Sequence, residues 1–429
     1  MKVVIMAGGK GTRIASVNSE VPKPMIPLLE KPILEHQIDC LKKQGYTDII
    51  LVVGHLGHVI RDYFADGSSF GVTIDYIVED TPLGSAGALF LLKERLTEDF
   101  LLLNGDIVFD IDIASFLRRH REKGGVATLF THPNNHPYDS GIIIADGEGR
   151  VTNWLHKEDE RLWYRNRVNA GIHLLSPKIF EDPAGAGIFK ELKKTDLDRD
   201  VLKPLISTGQ VFVYDSPEYV KDMGTPDRYR AVTEDMRSGK VQAKNRSRLQ
   251  KAVFLDRDGT LNRHDGFLTD IEDFTLIDGV AEAIKAINAS GYLAIVITNQ
   301  PVVARGEVTF AELDNIHQKM ETLLGREGAY LDAVYFCPHH PHKGYEGEVP
   351  ELKIECECRK PKPGMILQAA RDFHIDLSAS WMVGDSDRDV LAGKNAGCKT
   401  VLLSDREENV GQTLTCSSVL DFIRQGLLE

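Results

Sequence analysis

Long apolar runs are missing from this chain of 429 residues. No stretch approaches the roughly 20 apolar residues that a membrane-spanning helix needs, and the longest, such as residues 293–297, suit buried strands. No membrane partner is expected. A basic surplus is missing too: 51 Lys and Arg stand against 64 Asp and Glu, a formal charge of −13. That argues against a general nucleic-acid partner, because affinity for a phosphate backbone comes from basic surface. Cysteine is scarce, six in all, which excludes a disulfide scaffold in a chain of this size. The opening residues 1–6 run directly into a glycine loop, without the apolar length and small-residue cleavage site of a secretory signal. A cytoplasmic address is expected. Short internal repeats and low-complexity tracts are also lacking.

What is present is one pattern, given twice. The length exceeds one ordinary core and suggests two domains. Short Val/Ile/Leu strands (residues 3–6, 49–53 and 100–103) alternate with helical stretches such as 33–43, the pattern of a mostly parallel α/β sheet. Arg237, Lys240, Lys244, Arg246, Arg248 and Lys251 then form a basic run with no acid. This run reads as a solvated linker or a helix end. After it a new apolar strand, residues 252–255, restarts the alternation. The expected domains are therefore 1–236 and 251–429, joined by a basic linker, 237–250. Thr309 and Glu312 have the spacing of a capping box for a helix running towards Leu324, while Gly291 and Gly397 mark helix ends.

Near the start, Gly8, Gly9 and Gly11 follow a strand, with Thr12, Arg13 and Lys23 nearby. Three glycines let backbone N–H groups approach phosphate oxygens, although such a string also makes ordinary tight turns. It is not a Walker A loop, since no Gly-Lys-Ser/Thr follows. Asp106 ends a strand, the usual place for a functional carboxylate in an α/β sheet, and Asp222 is a candidate second carboxylate. With Leu83-Gly84-Ser85-Ala86-Gly87, Asn169-Ala170-Gly171 and Asp222-Met223-Gly224-Thr225-Pro226 added, the first 235 residues resemble the sugar-1-phosphate nucleotidyltransferase family. The resemblance implies a Rossmann-like three-layer domain in which a sugar 1-phosphate attacks the α-phosphorus of a nucleoside triphosphate. By it, Gly8, Gly9, Gly11, Thr12 and Gly84 hold the nucleotide and Arg13 and Lys23 steady phosphates. Asp106 and Asp222 bind Mg²⁺, Lys157 holds the sugar phosphate and Asn169 contacts the sugar. His156 stands where that family carries a Glu.

Past the middle, Asp256 and Asp258 follow a strand at a spacing of two, so both carboxylates leave the same side of the extended chain. Two like charges so close call for a cation. Thr298 and Asn299 end a second strand, Arg359 and Lys360 lie in a Pro-rich segment, and Asp385 with Asp389 ends a third strand. The ordered set resembles the haloacid dehalogenase phosphatase superfamily, again a Rossmann-like three-layer α/β domain. The resemblance makes Asp256 the nucleophile and Asp258 the acid and later the base. Mg²⁺ would be held by Asp256, the Asp258 backbone carbonyl and Asp385, supported by Asp389. Thr298, Asn299, Arg359 and Lys360 would meet the phosphorylated substrate.

Cys337, His339, Cys356 and Cys358 complete the chemistry. Three thiolates and an imidazole are a full tetrahedral set for a structural Zn²⁺ with no open position. His340 and His342 are alternative imidazoles, and Cys40, Cys398 and Cys416 suit core positions. With this zinc loop the segment resembles the D-glycero-D-manno-heptose 1,7-bisphosphate 7-phosphatases, with histidinol-phosphate phosphatases as near relatives; choosing His339 rests on that resemblance. Arg305 is the expected substrate contact. Two features depart from the branch: the stretch between His339 and Cys356 is longer, and Pro301-Val302 replaces a Ser-Gly pair. Removing the 7-phosphate from a heptose 1,7-bisphosphate yields the sugar 1-phosphate that a nucleotidyltransferase consumes. The expectation is a bifunctional enzyme making a nucleotide-activated heptose, GDP-heptose by pathway logic. Its partners are small molecules, sugar phosphates and a nucleoside triphosphate, and a homo-oligomer stays open. A hexose-1-phosphate guanylyltransferase joined to a different phosphatase, or a non-catalytic nucleotide-sugar sensor, would fit the same outline.

Overall fold

A computed structural model describes residues 1–9, 20–263, 266–344, 346–406 and 409–427. The chain forms two compact units, each discontinuous in sequence. The first comprises Met1–His132, Ile143–Leu155 and Asn169–Gln242; the second comprises Pro133–Ile142, His156–Val168 and Ala243–Glu429.

The first unit is built on a nine-stranded sheet. Strand Val3–Met6 lies between Asp48–Val53 and Phe100–Asn104 and runs parallel to both. Its residues Val3, Val4 and Ile5 are fully buried, as are all five from Ile49 to Val53, which is why these strands are continuous apolar runs rather than alternating ones. Val168–Leu175 pairs antiparallel with Phe100–Asn104, so the sheet is mixed. The register sets Met6 beside Asn104, bringing the loops that follow these two strands to one sheet edge. There a β-carbon on Gly105 would stand 2.8 Å from the Met6 carbonyl oxygen, so the close approach needs glycine. A separate ribbon, Ile107–Asp110 with Tyr219–Asp222, pairs Asp222 with Ile107. This pairing carries Asp222 back to the same edge, and the Met223 N–H donates to the Asp106 carbonyl at 3.0 Å.

The second unit has a six-stranded sheet in the order Ala333–Cys337, Leu293–Asn299, Ala252–Leu255, Trp381–Gly384, Lys399–Leu403, Leu414–Cys416, parallel throughout. Asp256, Thr298, Cys337 and Asp385 therefore emerge at the carboxyl ends of neighbouring strands, where open α/β sheets place their sites. Helix Phe310–Arg326 opens with the expected Thr309/Glu312 capping box. Gly291 and Gly397 are the left-handed C-terminal caps of Val280–Ser290 and Asp387–Ala396. The segment His156–Val168 packs on Phe310–Arg326. Arg165 Nη1 lies 2.8 Å from Glu321 Oε1, the Asn166 N–H donates to Glu321 Oε2 at 2.9 Å, and the Tyr164 N–H donates to Thr322 Oγ1 at 2.9 Å.

The basic run begins at a helix end, the last residue of Pro226–Arg237, but beyond it is not solvated as a linker would be. Helix Lys240–Ala243 occupies its middle, and Lys244, Asn245 and Gln250 are buried. Lys244 Nζ reaches Asp332 Oδ1 at 3.1 Å. That carboxylate also accepts the Ala294 N–H, so charge pairing with a buried acid draws the lysine inward. Among the described residues no helix is long and apolar enough to cross a membrane.

Candidate active sites

In the first unit a cavity of about 420 Å³ opens at the shared sheet edge, lined by Gly8, Gly9, Lys23, Glu79, Gly84, Asn104, Asp106 and Gly224 among others. A β-carbon at Gly8 would lie 2.6 Å from Glu79 Oε2, and one at Gly84 would lie 2.4 Å from the Thr195 carbonyl. Both glycines thus keep the walls in close contact, and Gly84 also needs its φ of +78°. Lys23 Nζ forms an ion pair with Asp106, so a phosphate-steadying cation and an expected metal carboxylate stand together. Asp222 is paired as well: Arg228 Nη1 lies 2.9 and 2.8 Å from its two oxygens, and the Gly224 N–H donates at 2.8 Å. Burial works to raise Asp222, but Arg228 outweighs it and holds the carboxyl below its ordinary range.

Gly11, Thr12 and Arg13 lie outside the described residues. Lys157 is exposed, falls in the second unit and is not among the residues that line this cavity. Asn169 is half-buried and off the lining as well. Its Nδ2 donates to Asp198 Oδ1 at 3.4 Å and its Oδ1 faces His173 Nε2 at 3.1 Å.

The second site is tighter. Lys360 Nζ stands 2.8 Å from Asp256 Oδ1 and 2.6 Å from Asp389 Oδ1, and oxygens of Asp256, Asp385 and Asp389 gather within 4.8 Å of one another. Burial first, and then the Asp389 charge, push Asp256 up to about 7. Burial alone would lower Lys360, but Asp256 and Asp389 outweigh it and keep the ammonium charged. Three carboxylates against one lysine leave an excess of negative charge, and a hard, oxygen-ligated divalent cation fits that donor set. Asn299 grips the Lys360 backbone, its Oδ1 accepting the N–H at 3.0 Å and its Nδ2 donating to the carbonyl at 3.1 Å. Its observed contact therefore orients Lys360. Thr298 is buried and its hydroxyl accepts from Gln300 Nε2 at 2.9 Å. Arg305 stacks on Phe267 with its guanidinium carbon 4.3 Å from the ring centre, and Arg359 donates to the His339 carbonyl at 3.1 Å.

Cys337, His339, Cys356 and Cys358 converge as one cluster. The sulfurs lie 3.2 to 3.5 Å apart, His339 Nδ1 is 3.3 Å from Cys358 Sγ, and none is in a disulfide. Such a set could bind zinc. His340 and His342 contact each other instead, so His339 is the imidazole of the cluster. Cys398 and Cys416 are buried and Cys40 half-buried.

Several site residues were not singled out from sequence: Glu79, Arg228, Arg257, Gln300 and His317. Glu79 directly follows strand Thr73–Val78, a position at a strand end that could have flagged it. Its Oε1 is buried without a hydrogen-bond partner among the described residues. Arg257 lies between the two catalytic candidates yet points into the core, an orientation that no spacing discloses.

A model of the nucleotidyl transferase family matches residues 2–239, more than half of the chain, and a HAD-hydrolase-like model matches residues 357–415. A D-glycero-alpha-D-manno-heptose-1,7-bisphosphate 7-phosphatase of Burkholderia mallei is 46% identical over 153 residues, 36% of this chain and 79% of that protein. A UTP–glucose-1-phosphate uridylyltransferase of Synechocystis is 32% identical over 249 residues, 54% of this chain and 62% of that protein. Among solved structures, HddC from Yersinia pseudotuberculosis complexed with GMP-PN is 27% identical, covers 55% of this chain and 99% of its own, and gives a TM-score of 0.47. In one polypeptide, this chain belongs both to the nucleotidyl transferase family and to the HAD-type phosphatase family represented by its Burkholderia relative.

Proposed function

We propose that this chain carries out two successive steps: it removes the 7-phosphate from D-glycero-α-D-manno-heptose 1,7-bisphosphate, then transfers GMP from GTP to the heptose 1-phosphate, releasing pyrophosphate. The observation that carries this is the union in one polypeptide of a phosphatase site related to heptose-bisphosphate phosphatases with a transferase cavity. The product of the first reaction is the acceptor of the second.

In the phosphatase, the Asp256 carboxylate attacks phosphorus and the bond to the sugar oxygen breaks. The departing alkoxide takes the Asp258 proton, and the Asp258 carboxylate then deprotonates the water that cleaves the aspartyl phosphate. Lys360 and the Thr298 hydroxyl face the phosphoryl oxygens. Mg²⁺ held by Asp256, Asp385 and Asp389 would neutralise charge between nucleophile and phosphate. In the transferase, Lys23 and Arg13 steady the triphosphate and position it for in-line attack. Asp106 and Asp222 would hold a second Mg²⁺, exchanging their present partners Lys23 and Arg228 for the ion.

Glu79 supports guanine as the base. A carboxylate offers only acceptors, and guanine alone among the common bases presents two adjacent donors, N1–H and the 2-amino group. Uracil, adenine and cytosine would each set an acceptor against it. A site built from hydrogen-bonding groups rejects mismatched analogues strongly, because buried polar atoms are then left unpaired. These substrates place the reaction in the cytoplasm.

The test is one incubation with Mg²⁺, the four ribonucleoside triphosphates and the α or β anomer of the bisphosphate, followed by mass spectrometry. GDP-heptose from the α anomer is expected. Heptose 1-phosphate without a nucleotide sugar would redirect the transferase to hexose 1-phosphates, and unchanged bisphosphate would overturn the heptose assignment.

A further inference from the structure

We propose that Arg228 is a nucleotide-binding residue of the transferase: its guanidinium guards Asp222 and passes to the triphosphate once Mg²⁺ takes that carboxylate, so that metal and nucleotide enter together. The proposal rests on the reading of Asp106 and Asp222 as the metal carboxylates of the transferase.

Asp222 ends the strand Tyr219–Asp222, and helix Pro226–Arg237 begins four residues on. The Thr225 hydroxyl accepts the Arg228 N–H at 3.3 Å, which mounts Arg228 on the first turn of that helix. One nitrogen, Nη1, spans both Asp222 oxygens at 2.9 and 2.8 Å. Gly224 lines the cavity and stands beside the pair: a β-carbon there would come 2.6 Å from Asp222 Oδ1 and 3.6 Å from Arg228 Nη1. The pair therefore sits at the cavity wall, where any side chain in place of Gly224 would crowd it. Lys23 and Asp106, which line the same cavity, form the second pair.

Two carboxylates thus meet two cations, and the cations are the better buried. Side-chain exposure is 9% for Lys23 and 21% for Arg228, against 33% for Asp106 and 35% for Asp222. A divalent ion arriving alone would strip both cations of these counter-charges and set its own charge beside them. That leaves two poorly hydrated charges uncompensated, the costly way to break an ion pair. A triphosphate removes the conflict, because its oxygens accept from the displaced donors. Guanidinium suits both partners, since carboxylate and phosphate present similar paired acceptors. Mg²⁺ is commonly held by one or two carboxylates together with substrate phosphates, the set that remains once the cations have moved. The phosphatase site differs: three carboxylates face one lysine there, so its excess negative charge draws a divalent ion without a nucleotide.

The test is equilibrium dialysis of the full chain with Mn²⁺ as the probe for Mg²⁺, with and without guanosine 5′-(α,β-methylene)triphosphate, whose α–β bridge the transferase cannot cleave. At Mn²⁺ that just fills the phosphatase site, the parent chain should bind one ion without the analogue and two with it. The analogue should tighten the second ion about ten- to a hundred-fold and, by linkage, the ion should tighten the analogue by the same factor. Arg228→Gln should tighten the second Mn²⁺ about ten-fold in the absence of the analogue. The same change should weaken the analogue, at saturating Mn²⁺, about ten- to a hundred-fold. Opposite signs in one variant are what exchange requires. Metal affinity moving alone, nucleotide affinity moving alone, or both weakening together would overturn the proposal. So would two Mn²⁺ on the parent chain without the analogue, a result that depends on no variant. Asp222→Asn is run in parallel. If the parent takes no second ion even with the analogue, or Asp222→Asn retains it, the metal assignment fails and the proposal with it; if Asp222→Asn loses the ion while Arg228→Gln behaves as the parent does, the exchange alone fails.

Discussion

Gly259 and Asp385 share one space: a β-carbon on Gly259 would stand 2.0 Å from Asp385 Oδ2. Gly259 also has φ +83°, where a side chain is strained. The turn after the nucleophile is therefore shaped to admit a carboxylate from another strand. Gly259→Ala should displace Asp385 and lower phosphatase kcat by about 10²-fold or more, with the transferase rate unchanged. Parallel assays of phosphate and pyrophosphate release on one preparation check this.

The two chemistries should separate by single substitutions. Asp256→Asn removes the nucleophile and should cost phosphatase activity about 10³-fold or more while sparing the transferase. Asp106→Asn should do the reverse. A chain in which either change silences both reactions would contradict two independent sites.

Glu79→Gln replaces a two-acceptor group with one acceptor and one donor, which no longer matches guanine's N1–H and 2-amino pair and newly matches uracil's N3–H and carbonyl. Competition between GTP and UTP should shift towards UTP by about ten-fold or more, given 1–3 kcal/mol for such a paired contact. A GTP preference retained in both Glu79→Gln and Glu79→Ala would exclude Glu79 as the base reader.

The cysteine cluster should hold one tightly bound zinc per chain, seen by elemental analysis of the purified protein. Cys358→Ser should release it and lower the melting temperature of the phosphatase unit, because metal-site energy is folding energy. Equal stability with and without metal would count against a structural role.

Asp198 gives a pH signature unrelated to catalysis. Burial, aided by Asp196, pushes its carboxyl from 3.8 up to about 7. Between those two values the native state binds more protons than the unfolded one, so stability is greatest at low pH and falls as pH rises through the window. Asp198→Asn removes this titration. Its stability gain over the parent chain should grow from pH 4 to pH 7 and then level off, reaching roughly 2–4 kcal/mol at 1.36 kcal/mol per pKa unit. Denaturant melts at three pH values would show it.

Much of this was legible in the sequence because it is encoded locally. Asp256 and Asp258 are two residues apart on one extended segment, Thr309 and Glu312 announce a helix start, and four soft ligands in two short clusters point to a metal. The less legible parts depend on direction and distance. Lys244 looked like linker charge until Asp332 appeared beside it. The charge partner of Asp222 is Arg228, six residues on and across a helix cap. Asn169 was expected at the sugar, yet its amide is engaged with Asp198 and His173.

The Glu321 carboxylate, 1% exposed, is met by groups that the gene encodes some 155 residues earlier. Anyone dividing the reading frame at residue 243, to study or recombine the phosphatase alone, would leave Arg165, Arg167 and the Asn166 amide behind. Breaking a buried pair by removing one side costs about 3–5 kcal/mol, a large share of a domain's stability. The boundary of the folding unit and the boundary suggested by the order of motifs are different places, so the phosphatase half should be inherited with its upstream segments or not at all.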